Sequence, residues 1–513
     1  MKTIPLTTTT PWSRHPFLKT FFLLFFCCLL GCLSPTSLQA EKQPHDSHPT
    51  EHSTETVINH EDNKADEHHG HAAPVWSVIP FAMLLIMIAT GPLFYEHFWH
   101  HNYPRIAVGL STVVVLYYIF GLHNVHSPIH ALAEYVQFIA LISSLYIASG
   151  GILIKIDKEG KPFVNIMILL IGAVISNLIG TTGASMLLIR PYMRLNKERL
   201  QAYHVIFFIF IVSNVGGALT PIGDPPLFLG FLKGVPFTWT VSNSLLPWVV
   251  ALVCLGGIFY IFDNRNKKGE NSETSQEHYS NKIELKGKGN FLWLALVIAS
   301  VFLDPNVLDW VPGILYEGQK FSYIREIIMF LVAFLSFRFA SKEALQENEF
   351  NFEPIREVAF IFIGIFGTMM PALELVANFA ASETGVKLIN HNTLYWGTGL
   401  LSAMLDNAPT YLNFLTAALA AQKGSIGSVD QVVQFAQGGV FHNSVIQLMA
   451  ISVSAVFFGA MTYIGNGPNF MVKSIAEQRG LQMPSFFGYL LRFSIPFLFP
   501  VLILIWLLFF AFA

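Results

Sequence analysis

Long apolar runs separated by short polar breaks dominate the chain from residue 75 onward, near 75–95, 104–120, 129–155, 203–231, 243–262, 291–304, 324–339, 355–376, 436–474 and 486–511. A helix needs about 20 apolar residues to cross a hydrocarbon core of about 30 Å, and most of these runs are close to that length. Closed barrels, the other spanning structure, give short alternating segments, whereas these runs are continuous. The pattern predicts an all-α polytopic membrane protein. Two further apolar segments, 163–189 and 392–421, carry polar residues in their middles.

Charge decides how those two segments sit. The loop 263–290 holds Arg265, Lys267, Lys268, Lys282, Lys286 and Lys288, which places it in the cytoplasm by the positive-inside rule. Lys155, Lys158 and Lys161 precede segment 163–189, and Arg190, Arg194, Lys197 and Arg199 follow it. A single crossing cannot put both flanks on one side, but a re-entrant hairpin can. Two arms of about 13 residues, at 1.5 Å each, reach about 20 Å and pass the midplane. The predicted tip is Ser176–Gly183. Counting onward makes 392–421 a hairpin entering from outside, with its tip at Asp406-Asn407-Ala408-Pro409-Thr410.

The chain also matches itself. Thr220-Pro221-Ile222-Gly223-Asp224-Pro225-Pro226-Leu227-Phe228 aligns with Thr462-Tyr463-Ile464-Gly465-Asn466-Gly467-Pro468-Asn469-Phe470, and each follows a hairpin tip. Pairing Ser176-Asn177 with Asp406-Asn407 leaves the second interval 12 residues longer, which the polar stretch 422–434 can absorb. The fold predicted is a pair of inverted-topology repeats with two re-entrant hairpins and two broken transmembrane helices. The expected organisation is a signal peptide or anchor at 1–40, a His- and acid-rich extracytoplasmic segment at 41–74, repeats at 75–262 and 291–513, and the charged loop 263–290 between them.

Composition narrows the chemistry. The 513 residues are 53% hydrophobic and 12% charged, about half the charge of a soluble domain. A net charge of −3 without a basic, aromatic patch gives no sign of nucleic-acid binding. Four cysteines, three of them in the N-terminal apolar run, offer no CxxC site or disulfide framework. No HExxH helix or nucleophile–base pair lies among the spans, so an enzyme is not expected, nor is a cofactor. Arg14 and Lys19 before Phe21–Leu30, with small residues ending at Ala40, read as a secretory signal. The segment beyond it, with His45, His48, His52, His60, His68, His69 and His71, cannot bury enough surface to fold alone. Buffering of metal or protons is one use for it, but the histidines lack regular ligand spacing and a solvated tail is the plainer reading.

Backbone broken at membrane depth must be buried in protein or face water, and its oxygens suit a small hard cation. The four interruptions supply Asn177, Thr181, Thr182, Thr220, Asp224, Asp406, Asn407, Thr410, Thr462, Asn466 and Asn469 as candidate sodium and proton ligands. Asp224 and Asp406 are the acids among them, and intramembrane carboxylates are functional candidates by default. Their alternative role is helix N-capping. Burial favours a neutral acid and a bound cation favours a carboxylate, so sodium and protons would compete for the same oxygens. Glu134 and Glu374, near helix ends, are expected to be solvated, and His204 and His442 to be structural.

Ile179–Pro191, Ser213-Asn214-Val215-Gly216-Gly217, Thr220–Gly230, Asp406–Tyr411 and Gly459–Phe470 together resemble the NhaD-type sodium/proton antiporters. These belong to the ion-transporter superfamily that also holds arsenite permeases and sodium-coupled dicarboxylate transporters. The resemblance covers about residues 75–513. It implies exchange of sodium, or lithium, for protons across the inner membrane by an elevator-like movement, and a homodimer. The rival on the same fold is a sodium- or proton-coupled carrier of a carboxylate or arsenite; Asp406, standing where a dicarboxylate site resembles Ser, would repel a dianion.

Overall fold

The computed structural model describes residues 73–512, apart from 157, 267–281, 306–307, 309 and 317–318. The expected signal, nearly all of the His-rich segment and the middle of the charged loop lie outside the described residues. Among those described, nine helices are long and apolar enough to cross a membrane: Val75–Pro92, Glu96–Gly121, His126–Gly150, Pro162–Leu195, Ala202–Leu219, Trp239–Asn264, Glu353–Ala381, Ser444–Met461 and Phe486–Phe509. Large apolar side chains such as Val253 and Leu246 stand 69% and 67% exposed, a surface that suits lipid. The chain is an all-α polytopic membrane protein, as its sequence predicts.

In chain order the helices that frame the interior are α1 (Ile79–Phe94), α2 (Glu96–Leu116), α3 (His126–Gly150), α4 (Pro162–Leu195), α5 (Ala202–Ile211), α6 (Pro225–Leu232) and α7 (Trp239–Asn264). After the loop come α8 (Gly289–Val301), α9 (Ile324–Phe339), α10 (Lys342–Glu347), α11 (Glu353–Ala381), α12 (Glu383–Leu388), α13 (His391–Met404) and α14 (Asn407–Ala421). The last are α15 (Val429–Gln437), α16 (Ser444–Phe458), α17 (Gly467–Gln478) and α18 (Phe486–Phe509). The helix observed within the expected span 436–474 is shorter than the apolar run, because α15 is a separate helix ending at Gln437 and capped by Gly438 before α16 begins.

α4 is one helix only by hydrogen-bond pattern. At Gly180 the backbone takes φ 79°, ψ 154°, a conformation open essentially to glycine, and the chain reverses. Asn165 and Asn196, 31 positions apart, exchange side-chain hydrogen bonds of 2.8 Å in both directions. A straight helix would separate them by about 46 Å. The reversal is a re-entrant hairpin. The second hairpin is α13 and α14, joined at Leu405-Asp406, and a Cβ at Gly397 would lie 2.9 Å from the Phe414 ring across it.

The hairpins open toward opposite ends of the molecule. At the base of the first, Arg199 binds Asp263 at the end of α7, and Lys155 binds Glu347 in α10. The second opens where Trp506, near the end of α18, donates to Asn392 and where Gln422 donates to the His442 carbonyl. Since α7 runs from Trp239, which donates to the Ala436 carbonyl, to Asp263, these two bases lie at its two ends. Inverted repeats account for this arrangement.

The self-match holds in three dimensions with one change of register. Ser176 donates to the Val212 carbonyl and Ser402 to the Ala455 carbonyl; Thr220 donates to the Asn177 carbonyl and Thr462 to the Ala403 carbonyl. Ser176 therefore corresponds to Ser402, and Thr181 to Asn407, four positions from the expected pairing of Ser176 with Asp406. The expected pairing matched polar residues, while the actual correspondence follows the chain reversals at Gly180 and Asp406. The broken segments are likewise equivalent: a Cβ on Gly223 would meet the Gly217 carbonyl at 2.1 Å, and one on Gly465 the Gly459 carbonyl at 2.6 Å.

Two small antiparallel ribbons, Leu153–Ile156 with Ile283–Lys286 and Ile314–Tyr316 with Gln319–Phe321, were not expected from the apolar pattern. Strands of three or four residues carry too few alternations to be read.

Replacing Gly180 by Ala places a Cβ 3.3 Å from the Ile222 carbonyl in a glycine-only conformation. The expected cost is about 1–3 kcal/mol, read as a lower thermal midpoint of the detergent-purified protein. An unchanged midpoint would contradict the hairpin geometry.

Candidate functional site

Asp224 is where the interruptions meet. It ends the non-helical stretch before α6, and Pro225 and Pro226 start that helix without hydrogen-bond donors of their own. Its carboxylate makes no capping bond to α6. Instead it accepts from Thr181 Oγ1 at 2.8 Å and Asn466 Nδ2 at 2.9 Å on Oδ1, and from Asn407 Nδ2 at 2.7 Å on Oδ2. The donors come from the first hairpin tip, the second broken helix and the second hairpin tip. Asp224 is 1% exposed, and every side chain that hydrogen-bonds to it is uncharged.

A second tier of amides surrounds this core. Asn214 Nδ2 donates to the Ile209 carbonyl at 2.8 Å and to Asn469 Oδ1 at 2.7 Å, and its Oδ1 accepts from Asn466 at 3.2 Å. Asn469 Nδ2 donates to the carbonyls of Gly459 and Thr462. Asn214 was not among the expected site residues, although it lies in a stretch that carried the resemblance. A buried Asn amid Phe, Ile and Val just before Gly216-Gly217 is the signal that could have found it.

The remaining candidates divide by what their side chains touch. Asn177 donates to the carbonyls of Ala173 and Gly216 and accepts from Leu219 N–H, so its amide braces the first hairpin against the broken segment. Thr220 and Thr462 brace equivalent positions, and Thr410 bonds back to the Asp406 carbonyl. Thr182 is partly exposed beside the tip. Asp406 accepts from Ala408 N–H at 3.0 Å and so does cap α14, the alternative role expected for it.

Asp406 also lines a cavity of about 480 Å³ with Thr182, Arg190, Glu357, Asn466 and Ser474. This cavity reaches from Glu349 and Gln478, at the end where the first hairpin opens, to the edge of the site. At the other end a second cavity of about 370 Å³ is lined by Glu134, Lys233 and Asp304 and does not reach Asp224.

Glu134 forms an ion pair with Lys233 and is only 19% exposed, so it is not simply solvated. Glu374 accepts from Ala73 N–H and Tyr118. His204 is buried against Asp263, which also accepts from Tyr203, Arg199 and Asn165 at the base of the first hairpin, a structural setting. His442 is exposed and precedes α16 rather than entering it.

A family model described as "Putative citrate transport" matches residues 70–510. The chain belongs to this family. Membership in the citrate-transport family, together with the apolar helices, makes the chain a multi-pass membrane protein and a secondary transporter rather than an enzyme. No curated protein matches the chain in sequence.

Asn177→Ala removes bonds that only brace backbone. It is expected to lower the thermal midpoint by an amount equivalent to about 1–3 kcal/mol, the cost of stranding buried partners. Transport per molecule of the surviving folded protein should stay at the wild-type value. A large loss of transport at unchanged stability would place Asn177 in the functional site instead.

Proposed function

We propose that this transporter exchanges sodium, and by the same oxygen chemistry lithium, for protons across the inner membrane of its cell. The observation that carries the reading is Asp224: one buried carboxylate, held by neutral donors from three of the four interruptions. A carboxylate so enclosed is neutralised either by a proton or by a cation, and the two are mutually exclusive at one oxygen. Asp406, on the cavity wall beside Asn466, supplies a second carboxylate along the approach. Of the expected ligands, Thr181 and Asn407 come first, Asn466 holds the carboxylate as a donor to its Oδ1, and Thr182 stands at the approach. Asn177, Thr220, Thr410, Thr462 and Asn469 support the backbone around them. By the resemblance the carrier works as a homodimer; the secretory signal puts its His-rich segment outside, and the exchange calls for no cofactor.

A carboxylate carrier on the same scaffold is the second reading. The family description favours it, and so does Arg190, whose Nε and Nη1 have no hydrogen-bond partner on the wall of the large cavity. Against it, Glu349, Glu353, Glu357 and Asp406 line that cavity and would repel an unaccompanied tricarboxylate.

Everted vesicles carrying the full chain should show sodium-driven proton movement that Asp224→Asn reduces to background and Asp406→Asn weakens. Exchange that survives Asp224→Asn would overturn the assignment. Uptake of labelled citrate by wild type without any cation exchange would establish the second reading in its place.

A further inference from the structure

The amides around Asp224 are not equally free to turn. Polarity can be assigned from the backbone inward, because a carbonyl oxygen only accepts. The carbonyls of Gly459 and Thr462 fix Asn469 with Nδ2 toward them, at 2.8 and 2.9 Å. Asn469 Oδ1 then faces Asn214, whose Nδ2 it accepts at 2.7 Å while that same Nδ2 donates to the Ile209 carbonyl. Asn214 Oδ1 is left facing Asn466, and the Ser213 carbonyl lies beside it, each 3.2 Å from Asn466 Nδ2. Turning Asn466 over would set its oxygen against three acceptors: Asn214 Oδ1, the Ser213 carbonyl and Asp224 Oδ1.

Asn407 is held by nothing comparable. Its Nδ2 donates to Asp224 Oδ2, and its own Oδ1 is buried without a hydrogen-bond partner. Half a turn breaks one hydrogen bond and moves the amide N–H to where its oxygen now lies unpaired, a cost offset only by a hydroxyl or cation on Oδ2, and it brings an unused oxygen to the carboxylate. The two oxygens of Asp224 differ accordingly. Oδ1 is occupied by Thr181 and the fixed Asn466; Oδ2 has only the movable amide.

We propose that Asn407 is the amide that changes partner when the site loads, and that Asn214, which does not touch Asp224, is a positioning residue that keeps Asn466 a permanent donor. This rests on the reading of Asp224 as the exchanging carboxylate. In this structure Asn407 donates to Oδ2. When a proton arrives it settles on Oδ2, and the new hydroxyl donates to the turned Asn407 Oδ1. A sodium ion takes the same place, between Oδ2 and Asn407 Oδ1. Asn466 stays bound to Oδ1 throughout, favouring the carboxylate over the acid.

The test uses the full chain in proteoliposomes, with exchange followed by an internal pH dye across a grid of sodium concentration and pH. Asn407→Leu, which keeps the shape and removes the oxygen, is expected to raise the half-saturating sodium at the alkaline plateau by at least about tenfold. Asn466→Leu is expected to move the pH profile alkaline by roughly one unit while plateau sodium affinity stays within about threefold of wild type. Asn214→Ala should show the same alkaline displacement in smaller degree. A purely structural Asn214 would lower the maximal rate without moving the profile, and that result overturns its role. If Asn407→Leu does not fold, Asn407→Ser, which retains an oxygen, should bind sodium more tightly than Asn407→Ala, and equal affinities overturn the proposal. If Asp224→Asn still exchanges, the functional reading itself falls. If Asp224→Asn is silent but Asn407→Leu matches wild type, or Asn466→Leu raises the plateau requirement equally, only the assignment of roles falls.

Discussion

A carboxylate buried among membrane-spanning helices needs hydrogen-bond donors in place of water, and at Asp224 the whole architecture supplies them. Three donors, delivered by two hairpin tips and one broken helix, converge on one carboxylate. None of these segments could expose its freed backbone to lipid, so each is braced from its own repeat: Thr220 and Asn177 in the first, Thr462 in the second. Bracing and ligation are thus separate tasks given to neighbouring residues of similar type. Threonines and asparagines a few positions apart differ in whether their partner is a backbone carbonyl or the acid.

That division explains what could be read from the sequence. The helices were legible because runs of about twenty apolar residues have few alternatives. The first hairpin was legible because basic residues flank both ends of 163–189, a conflict that only a reversal resolves, and the second followed from it by counting spans onward. Of the site, the interruptions and Asp224 were visible, since Gly, Pro and an acid inside an apolar run are costly unless used. The roles within it were not. Asn177 and Asn407 look alike in sequence, yet one spends its amide on Ala173, Gly216 and Leu219 while the other faces the acid. Polar identity pairs Ser176 with Asp406, whereas the chain reversals at Gly180 and Asp406 set the register four positions away, at Ser402. Asn214 has no hydrogen bond to the acid, only to Asn466, Asn469 and the Ile209 carbonyl, so nothing in the motif tied it to Asp224.

Access is as asymmetric as the bonding. The large cavity reaches Asp406 and Asn466 from the end where the first hairpin opens, and the cavity at the other end stops short, beside the Lys233–Glu134 ion pair. Lys233 closes α6, the helix that Asp224 precedes, while Glu134 belongs to α3. The large cavity comes to the edge of the candidate site at Asp406 and Asn466 without Asp224 on its wall, and charge pairs at both ends, Arg190 with Glu349 and Lys233 with Glu134, tie the surrounding helices together.

The register established for the repeats makes Asp224 and Asn466 counterparts, and Thr181 and Asn407 counterparts. The site is then two related pairs facing each other across a pseudo-two-fold axis, 2.9 Å separating the first pair. With an acid at both positions, the two could not ionise together and would trap a proton between them. With an amide at both, nothing would draw in a cation. The oxygen-for-nitrogen difference between Asp224 and Asn466 leaves a single carboxylate in this pair, and the facing pair differs as well, with a hydroxyl at Thr181 where its counterpart Asn407 carries an amide.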